Sequence, residues 1–82
     1  MEDKITSFVR ASVADELGLS PDEIDIHVDF EELGMTSLNA VLVSGVIEEE
    51  FEIEIEPSIL FENRTLASIS SALKERLKNE KD

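Results

Sequence analysis

Apolar residues near the start of the chain recur every three or four positions, which is the spacing of one helix face. This pattern predicts a helix from about Asp3 to Leu17. Glu2 and Asp3 place negative charge at its positive N-terminal end, and Gly18 is a stop signal. The predicted inner face consists of Ile5, Phe8, Val9, Val13 and Leu17.

The last third of the chain predicts a short helix followed by a long one. Pro57 suits the first turn of a short helix that continues through Phe61, with Ile59, Leu60 and Phe61 as core anchors. Thr65 is a good N-cap for the final helix, whose C-terminal end carries basic residues that suit its dipole. The inner face of this final helix is predicted to contain Leu66, Ile69, Ala72, Leu73 and Leu77.

A long connection, residues 19–36, separates the first helix from the second. Pro21 follows Ser20, which predicts a capped turn. Apolar and polar residues then alternate from Ile24 to Leu33, as they do in a strand. A single strand has no partner in so short a chain, so we predict an extended loop whose apolar residues pin it to the helices. Residues 51–56 alternate in the same way and are also predicted to be a loop.

The second helix is predicted from Ser37 to about Phe51, and it carries two apolar stripes. The first stripe has the spacing of a core face. The second has little left in a small bundle to bury it, so it is a candidate docking surface unless the loop packs over it. Glu48 and Glu49 continue that face, where acidic groups oppose the helix dipole. The first stripe is Ala40, Val43, Ile47 and Phe51, and the second is Leu38, Val41, Leu42 and Gly45.

The start of this second helix is a candidate modification site. Gly34 breaks the preceding structure, and the hydroxyl of Thr36 can cap the helix. Ser37 then occupies the first helical position, beside free N–H groups and the positive end of the dipole. Such a position suits a covalently attached phosphate. The alternative from these residues alone is a simple capping pair of Thr36 and Ser37.

Charge changes the picture of possible partners. The net charge is −13, and residues 11–63 hold fifteen acidic side chains but no Lys or Arg. Nucleic acid and anionic membrane are therefore poor partners, because binding phosphate needs Lys and Arg. A basic protein surface is the natural partner, attracted by long-range steering. The alternative is that the charge only keeps the domain soluble.

The 82 residues predict one domain, residues 1–82, which we expect to be monomeric and cytoplasmic. There is no cysteine and no apolar run long enough to span a membrane. His27 is the only histidine, and no oxyanion motif surrounds Ser37, so we expect no catalytic activity. The acidic loop lacks the glycine and glutamate positions of a calcium-binding loop, so we predict no dedicated metal site and at most loose Mg²⁺ or Ca²⁺ association.

Three segments together resemble the acyl and peptidyl carrier proteins. They are residues 30–38 (Phe-Glu-Glu-Leu-Gly-Met-Thr-Ser-Leu), residues 48–55 (Glu-Glu-Glu-Phe-Glu-Ile-Glu-Ile) and residues 60–66 (Leu-Phe-Glu-Asn-Arg-Thr-Leu). The resemblance runs from about Ile5 to Leu77. It implies an all-α four-helix bundle with three longer helices, a short third helix and a long first loop. It also implies that Ser37 carries 4'-phosphopantetheine, whose thiol holds an acyl or aminoacyl chain as a thioester.

The same resemblance implies partners and a docking surface. The partners are a phosphopantetheinyl transferase and then basic-surfaced acyltransferases, ketosynthases and related pathway enzymes. The alternative from another class is an acidic helical adaptor that binds basic proteins without a prosthetic group. The residues expected to dock partners are Met35, Thr36, Leu38, Val41, Leu42, Glu48 and Glu49.

Three positions depart from the family pattern. Thr36 stands where Asp usually precedes the serine, Leu42 stands where many fatty-acid carriers have Glu, and Arg64 replaces a common Pro. These changes make the surface near Ser37 less acidic than in a typical fatty-acid carrier. We therefore expect a polyketide or hybrid pathway rather than housekeeping fatty-acid synthesis, with a peptidyl or aminoacyl carrier as a further alternative.

Overall fold

Four α-helices and one short 3₁₀ turn account for the regular structure of residues 2–80, the part of the chain that the computed structural model describes. Within those residues there is no strand, which confirms the predicted all-α fold with three longer helices and one short third helix. In chain order the elements are α1 (Lys4–Leu17), the 3₁₀ turn (Pro21–Glu23), α2 (Ser37–Phe51), α3 (Ile59–Glu62) and α4 (Leu66–Glu80).

The ends of α1 follow from the residues that flank it. Asp3 is its N-cap, and Asp3 Oδ1 accepts the backbone N–H of Thr6 at 2.7 Å, so the helix begins at Lys4, one residue later than predicted. Gly18 takes the left-handed conformation with φ of 70°, where a side chain would be strained. The predicted stop at Gly18 is therefore confirmed.

The core lies where α1 packs against both α2 and α4. An edge-to-face contact joins Phe8 of α1 to Phe51 of α2, with ring centroids 5.4 Å apart. The predicted inner faces supply most of the buried side chains, and Phe51 is only partly buried. The fully buried large side chains are Phe30, Ile24, Ile47, Leu60, Leu66, Ile69, Leu73, Val9, Val13 and Val43.

The long first loop, residues 24–36, is fastened to the helices at several points, as an extended loop rather than a strand. Ile24 is fully buried, and its carbonyl oxygen accepts a hydrogen bond from the guanidinium of Arg10 in α1. The carbonyl of Ile26 accepts the N–H of Ala67 in α4 at 2.9 Å. Arg10 also forms an ion pair with Glu2 at 2.6 Å, which lowers the pKa of that carboxyl group.

The third helix differs from its predicted form in two respects. It begins at Ile59 because Pro57 and Ser58 form a turn. Leu60 is buried as predicted, but Phe61 is 44% exposed, so the prediction that Phe61 anchors the core is wrong. The predicted cap of α4 is confirmed, because Thr65 Oγ1 accepts the N–H of Ser68 at 3.1 Å.

Candidate functional site

Ser37 is exposed at the first position of α2, where sequence analysis placed it. The preceding Thr36 is the N-cap, with extended backbone and a hydroxyl that accepts the N–H of Asn39 at 3.2 Å. The first four N–H groups of a helix have no intrahelical carbonyl partner, and they lie at the positive end of the dipole. The Ser37 hydroxyl therefore lies beside backbone donors that suit a phosphate.

The predicted cap is only half of a reciprocal arrangement. Asn39 Oδ1 accepts the backbone N–H of Thr36 at 2.9 Å, while Thr36 caps the N–H of Asn39. This pair is a capping box with Asn in the position usually held by Glu or Gln. The sequence indicates Thr36 as a cap, and the spacing of three residues between Thr36 and Asn39 is the signal from which the second half of the box could also have been predicted.

Buried residues anchor the segment that precedes Ser37 to the core. Gly34 has φ of 94°, a conformation that favours glycine. The N–H of Met35 then donates to the carbonyl of Phe30 at 3.1 Å, and Phe30 is 2% exposed. Met35 itself is 6% exposed and belongs to the core, which corrects the expectation that it lies on the docking surface. Its apolar side chain fills space beneath the loop instead.

Arg64 fastens the same segment to the α3–α4 junction. Its carbonyl accepts the N–H of Phe30 at 2.7 Å, and its guanidinium forms ion pairs with Asp29 at 3.0 Å and Glu31 at 3.2 Å. The ion pairs are substantially exposed, so each contributes little by itself. The position was noticed in the sequence only as a departure from the family pattern, because its partners lie more than thirty residues away.

One face of α2 next to Ser37 is apolar and uncovered. The first loop does not pack over it, and Gly45 is also exposed. We call this face the α2 apolar surface, and the structure adds Val46 to the stripe found in the sequence. Its large side chains, with their exposed fractions, are Leu38 (67%), Val41 (49%), Leu42 (45%) and Val46 (46%).

The acidic end of α2 has a structural explanation in part. Glu48 accepts the backbone N–H of Ile55 at 2.9 Å and so fixes the loop that follows the helix. This bond offsets the unfavourable position of a carboxylate at a helix C-terminus. Glu49 is exposed and remains available on the surface. The position of Glu48 is therefore explained by its bond to Ile55. The unfavourable position of Glu49 relative to the helix dipole has no such explanation and indicates a functional role.

Other candidate chemistry is sparse in the described part of the chain. His27 is exposed in a turn of the first loop, where its N–H donates to Asp25 Oδ1 at 2.8 Å. Across residues 2–80, no three His, Asp or Glu side chains are grouped so that they could hold a metal ion. None of the helices described there is long and apolar enough to cross a membrane.

Comparison with known protein families identifies the family of this chain. Residues 7–73 match the family described as phosphopantetheine attachment site. The chain belongs to this family. The prosthetic group of the family is 4'-phosphopantetheine, and the chain is accordingly a carrier protein. An exposed Ser37 hydroxyl beside the free end of α2 fits the attachment of a phosphate ester.

The similar proteins are two fungal polyketide synthases and a peptidyl carrier protein. This carrier is 42% identical over 65 residues to the conidial yellow pigment biosynthesis polyketide synthase of Emericella nidulans, and 33% identical over 72 residues to a non-reducing polyketide synthase of Byssochlamys spectabilis. These matches cover 79% and 88% of this chain but only 3% of each synthase. The fold also matches a free-standing peptidyl carrier protein from Acinetobacter baumannii with a TM-score of 0.85 and 30% identity, covering 88% of this chain and 90% of that one.

Proposed function

We propose that Ser37 is the attachment residue and that the carrier shuttles thioester-linked acyl intermediates of the polyketide type. The observation that carries this proposal is the exposed Ser37 at the capped start of α2, within a segment that matches the attachment-site family. When bound, the group supplies the terminal thiol that holds the cargo. The fold supplies an accessible hydroxyl, a rigid helix start and a surface for partners.

Loading is a phosphoryl transfer in which coenzyme A is the donor. The Ser37 oxygen forms a bond to the phosphorus that bears pantetheine, the bond from that phosphorus to the 3',5'-ADP leaving group breaks, and the serine proton passes to a base of the transferase. The N–H groups at the start of α2 lie where negative charge on the phosphate is favoured. Exposure of Ser37 admits the transferase without a rearrangement of the core.

Partner enzymes are proposed to dock on the α2 apolar surface and on the exposed Glu49 beside its far end. Half-exposed apolar side chains contribute contact area, while the acidic surroundings attract a basic partner. A carrier must leave each enzyme after every step, so a small interface of low affinity suits the task. The proposed partners are a phosphopantetheinyl transferase and basic-surfaced acyltransferases and ketosynthases, in the cytoplasm.

The test of the proposed attachment residue is the intact mass after incubation with coenzyme A and a promiscuous phosphopantetheinyl transferase. The native protein is expected to gain one phosphopantetheine, and Ser37→Ala is expected to gain none. Because Ser37 is exposed, its replacement should change the free energy of unfolding by no more than about 0.5 kcal/mol. Loading of the Ala variant would show that phosphopantetheine is attached to a residue other than Ser37. No loading of the native protein by several transferases would favour an adaptor without a prosthetic group.

An aminoacyl or peptidyl cargo is the second candidate, favoured by the likeness to the Acinetobacter baumannii peptidyl carrier. The relatives from polyketide synthases favour an acyl cargo instead. The loaded protein can be offered malonyl coenzyme A with a malonyl transferase, and separately an amino acid with an adenylating enzyme. Mass spectrometry of the product then distinguishes the two cargoes.

A further inference from the structure

Asn39 closes the first turn of α2 through three hydrogen bonds with Thr36. Asn39 Oδ1 accepts both the backbone N–H and the hydroxyl of Thr36, each at 2.9 Å. The hydroxyl proton is thereby committed to Asn39, and a lone pair of the same oxygen accepts the Asn39 N–H at 3.2 Å. The two side chains therefore fix each other on either side of Ser37 in the chain.

This arrangement decides which donors remain at the helix start. Of the four orphan N–H groups, those of Thr36 and Asn39 are taken by the capping box. The N–H groups of Ser37 and Leu38 are the two that remain for a phosphate. The box is also uncharged, so it adds no repulsion to the anionic donor that must approach Ser37.

Asn39 further connects the turn to another helix. Its Nδ2 group lies 3.5 Å from Glu16 Oε1 near the end of α1, and Asn39 is partly buried. A side chain that points towards α1 and the N-cap is less available to a docking enzyme than the exposed Leu38 beside it. Asn39 is therefore better placed to fix the backbone around Ser37 than to contact a partner.

We propose that Asn39 is a positioning residue for the modification of Ser37. It holds Thr36 in the N-cap conformation and Ser37 at the first helical position, with the two free N–H groups directed to the incoming phosphate. The inference rests on the proposed loading of Ser37. We expect its effect in the chemical step, because replacing Asn39 leaves the exposed side chains of the α2 apolar surface, where docking is proposed, unchanged.

The experiment measures steady-state loading of the apo carrier by a phosphopantetheinyl transferase with coenzyme A. Asn39→Ala is expected to lower kcat by roughly tenfold, because small misplacements of a reacting group are costly, while KM for the carrier changes less than about twofold. Asn39→Gln should restore kcat, since Gln serves this position of a capping box. In Asn39→Ala, amide hydrogen exchange should accelerate at Ala40, whose N–H donates to Thr36 O at 3.0 Å.

Thr65→Ala is the matched control, because it removes the N-cap bond of α4 and leaves the start of α2 intact. It is expected to lower the melting temperature about as much as Asn39→Ala does, while loading keeps its native kcat. A fall in kcat for both variants would mean that stability alone controls loading, and would overturn the proposal. A rise in KM without a change in kcat would make Asn39 a docking contact instead.

The outcomes also separate this inference from the proposed function. If several transferases do not load the native protein, the attachment proposal fails, and the positioning role fails with it because it rests on that attachment. If the native protein and Asn39→Ala are loaded with the same kcat and KM, the attachment proposal stands and the positioning role is contradicted.

Discussion

At the scale of single residues, short polar side chains decide where the helices begin. Asp3 caps α1, Thr36 caps α2 and Thr65 caps α4, each by accepting a backbone N–H of the first turn. The cap before α2 matters most for the proposed attachment of phosphopantetheine, because it leaves Ser37 at the first helical position and exposed to solvent. A residue one position later would lie deeper in the helix and face a different direction.

Asp3 carries a pH dependence that can be measured. Its pKa is lowered from 3.8 to about 2, first by the hydrogen bond from Lys74 and then by the N–H of Thr6. Lys74 Nζ lies 2.5 Å from Asp3 Oδ2, so this contact also joins α1 to α4. Because the folded pKa lies below the unfolded one, the stabilisation is complete above pH 4 or so and is lost as the pH falls through about 2.

We expect Asp3→Asn to lower the urea midpoint at pH 7, because Asn keeps a capping oxygen but loses the attraction to Lys74. The difference from the native protein should shrink as the pH falls from about 4 to 2 and vanish below that. Urea unfolding at a series of pH values measures it. A difference that stays constant below pH 2 would assign the effect to packing rather than to charge.

At the scale of elements, α2 has one buried apolar face and one exposed apolar face. Ala40, Val43 and Ile47 are buried against the other helices. The α2 apolar surface is left to solvent although it continues directly from Ser37. Among residues 2–80, Phe61 on α3 is the one exposed large apolar side chain outside this surface. Stability alone does not explain why apolar residues occupy these positions.

Leu42→Glu tests the use of this surface. The variant removes apolar contact and adds one charge, and for a side chain that is 45% exposed the loss of contact should outweigh the gain in attraction. We expect KM for the carrier in the transferase reaction to rise by about fivefold, which corresponds to about 1 kcal/mol. Ser71→Glu adds the same charge to an exposed position of α4 and should leave KM unchanged. An unchanged KM in Leu42→Glu would exclude this position from docking.

At the scale of the whole molecule, the excess of acidic side chains affects both the stability of the fold and the proposed encounter with partners. The net charge of −13 opposes the compact state through self-repulsion, and it would attract the proposed basic partner enzymes from a distance. Only part of the charge is neutralised locally. In the described residues the ion pairs join Glu2 to Arg10, Asp29 and Glu31 to Arg64, and Asp3 to Lys74.

The two roles of the charge respond to salt in opposite directions. Raising the ionic strength from about 0.01 to 0.15 M shortens the screening length from about 30 to 8 Å. The free energy of unfolding should rise, while kcat/KM for loading by a basic transferase should fall by about tenfold as steering weakens. Glu49→Gln should make the fall less steep. A flat kcat/KM with rising stability would show that the charge serves solubility rather than recognition.

Much of the fold and of the site could be predicted from local patterns. Caps, stop signals and helical spacing depend on residues within one or two turns of the chain. The sequence therefore predicted the four helices, the stop at Gly18, the caps Thr36 and Thr65, and the position of Ser37. The long loop could be predicted by excluding a strand, because a single strand without a partner leaves its backbone hydrogen-bonding groups unpaired. Asn39 was within reach of the same local rules.

Features that depend on contacts between distant segments could not be predicted from local patterns. Met35 and Phe61 are both large and apolar, and only the packing of the loop and α3 places one in the core and the other in solvent. Likewise, Arg64 clamps the loop through partners more than thirty residues away, and Glu48 binds Ile55 across the end of its helix. The caps of α2 and α4 and the position of Ser37 at the start of α2 could be predicted from the sequence alone, because they depend on neighbouring residues. Burial is a property of the assembled core, so the sequence indicated the exposed stripe of α2, whereas the burial of Met35 and the exposure of Phe61 followed only from the structure.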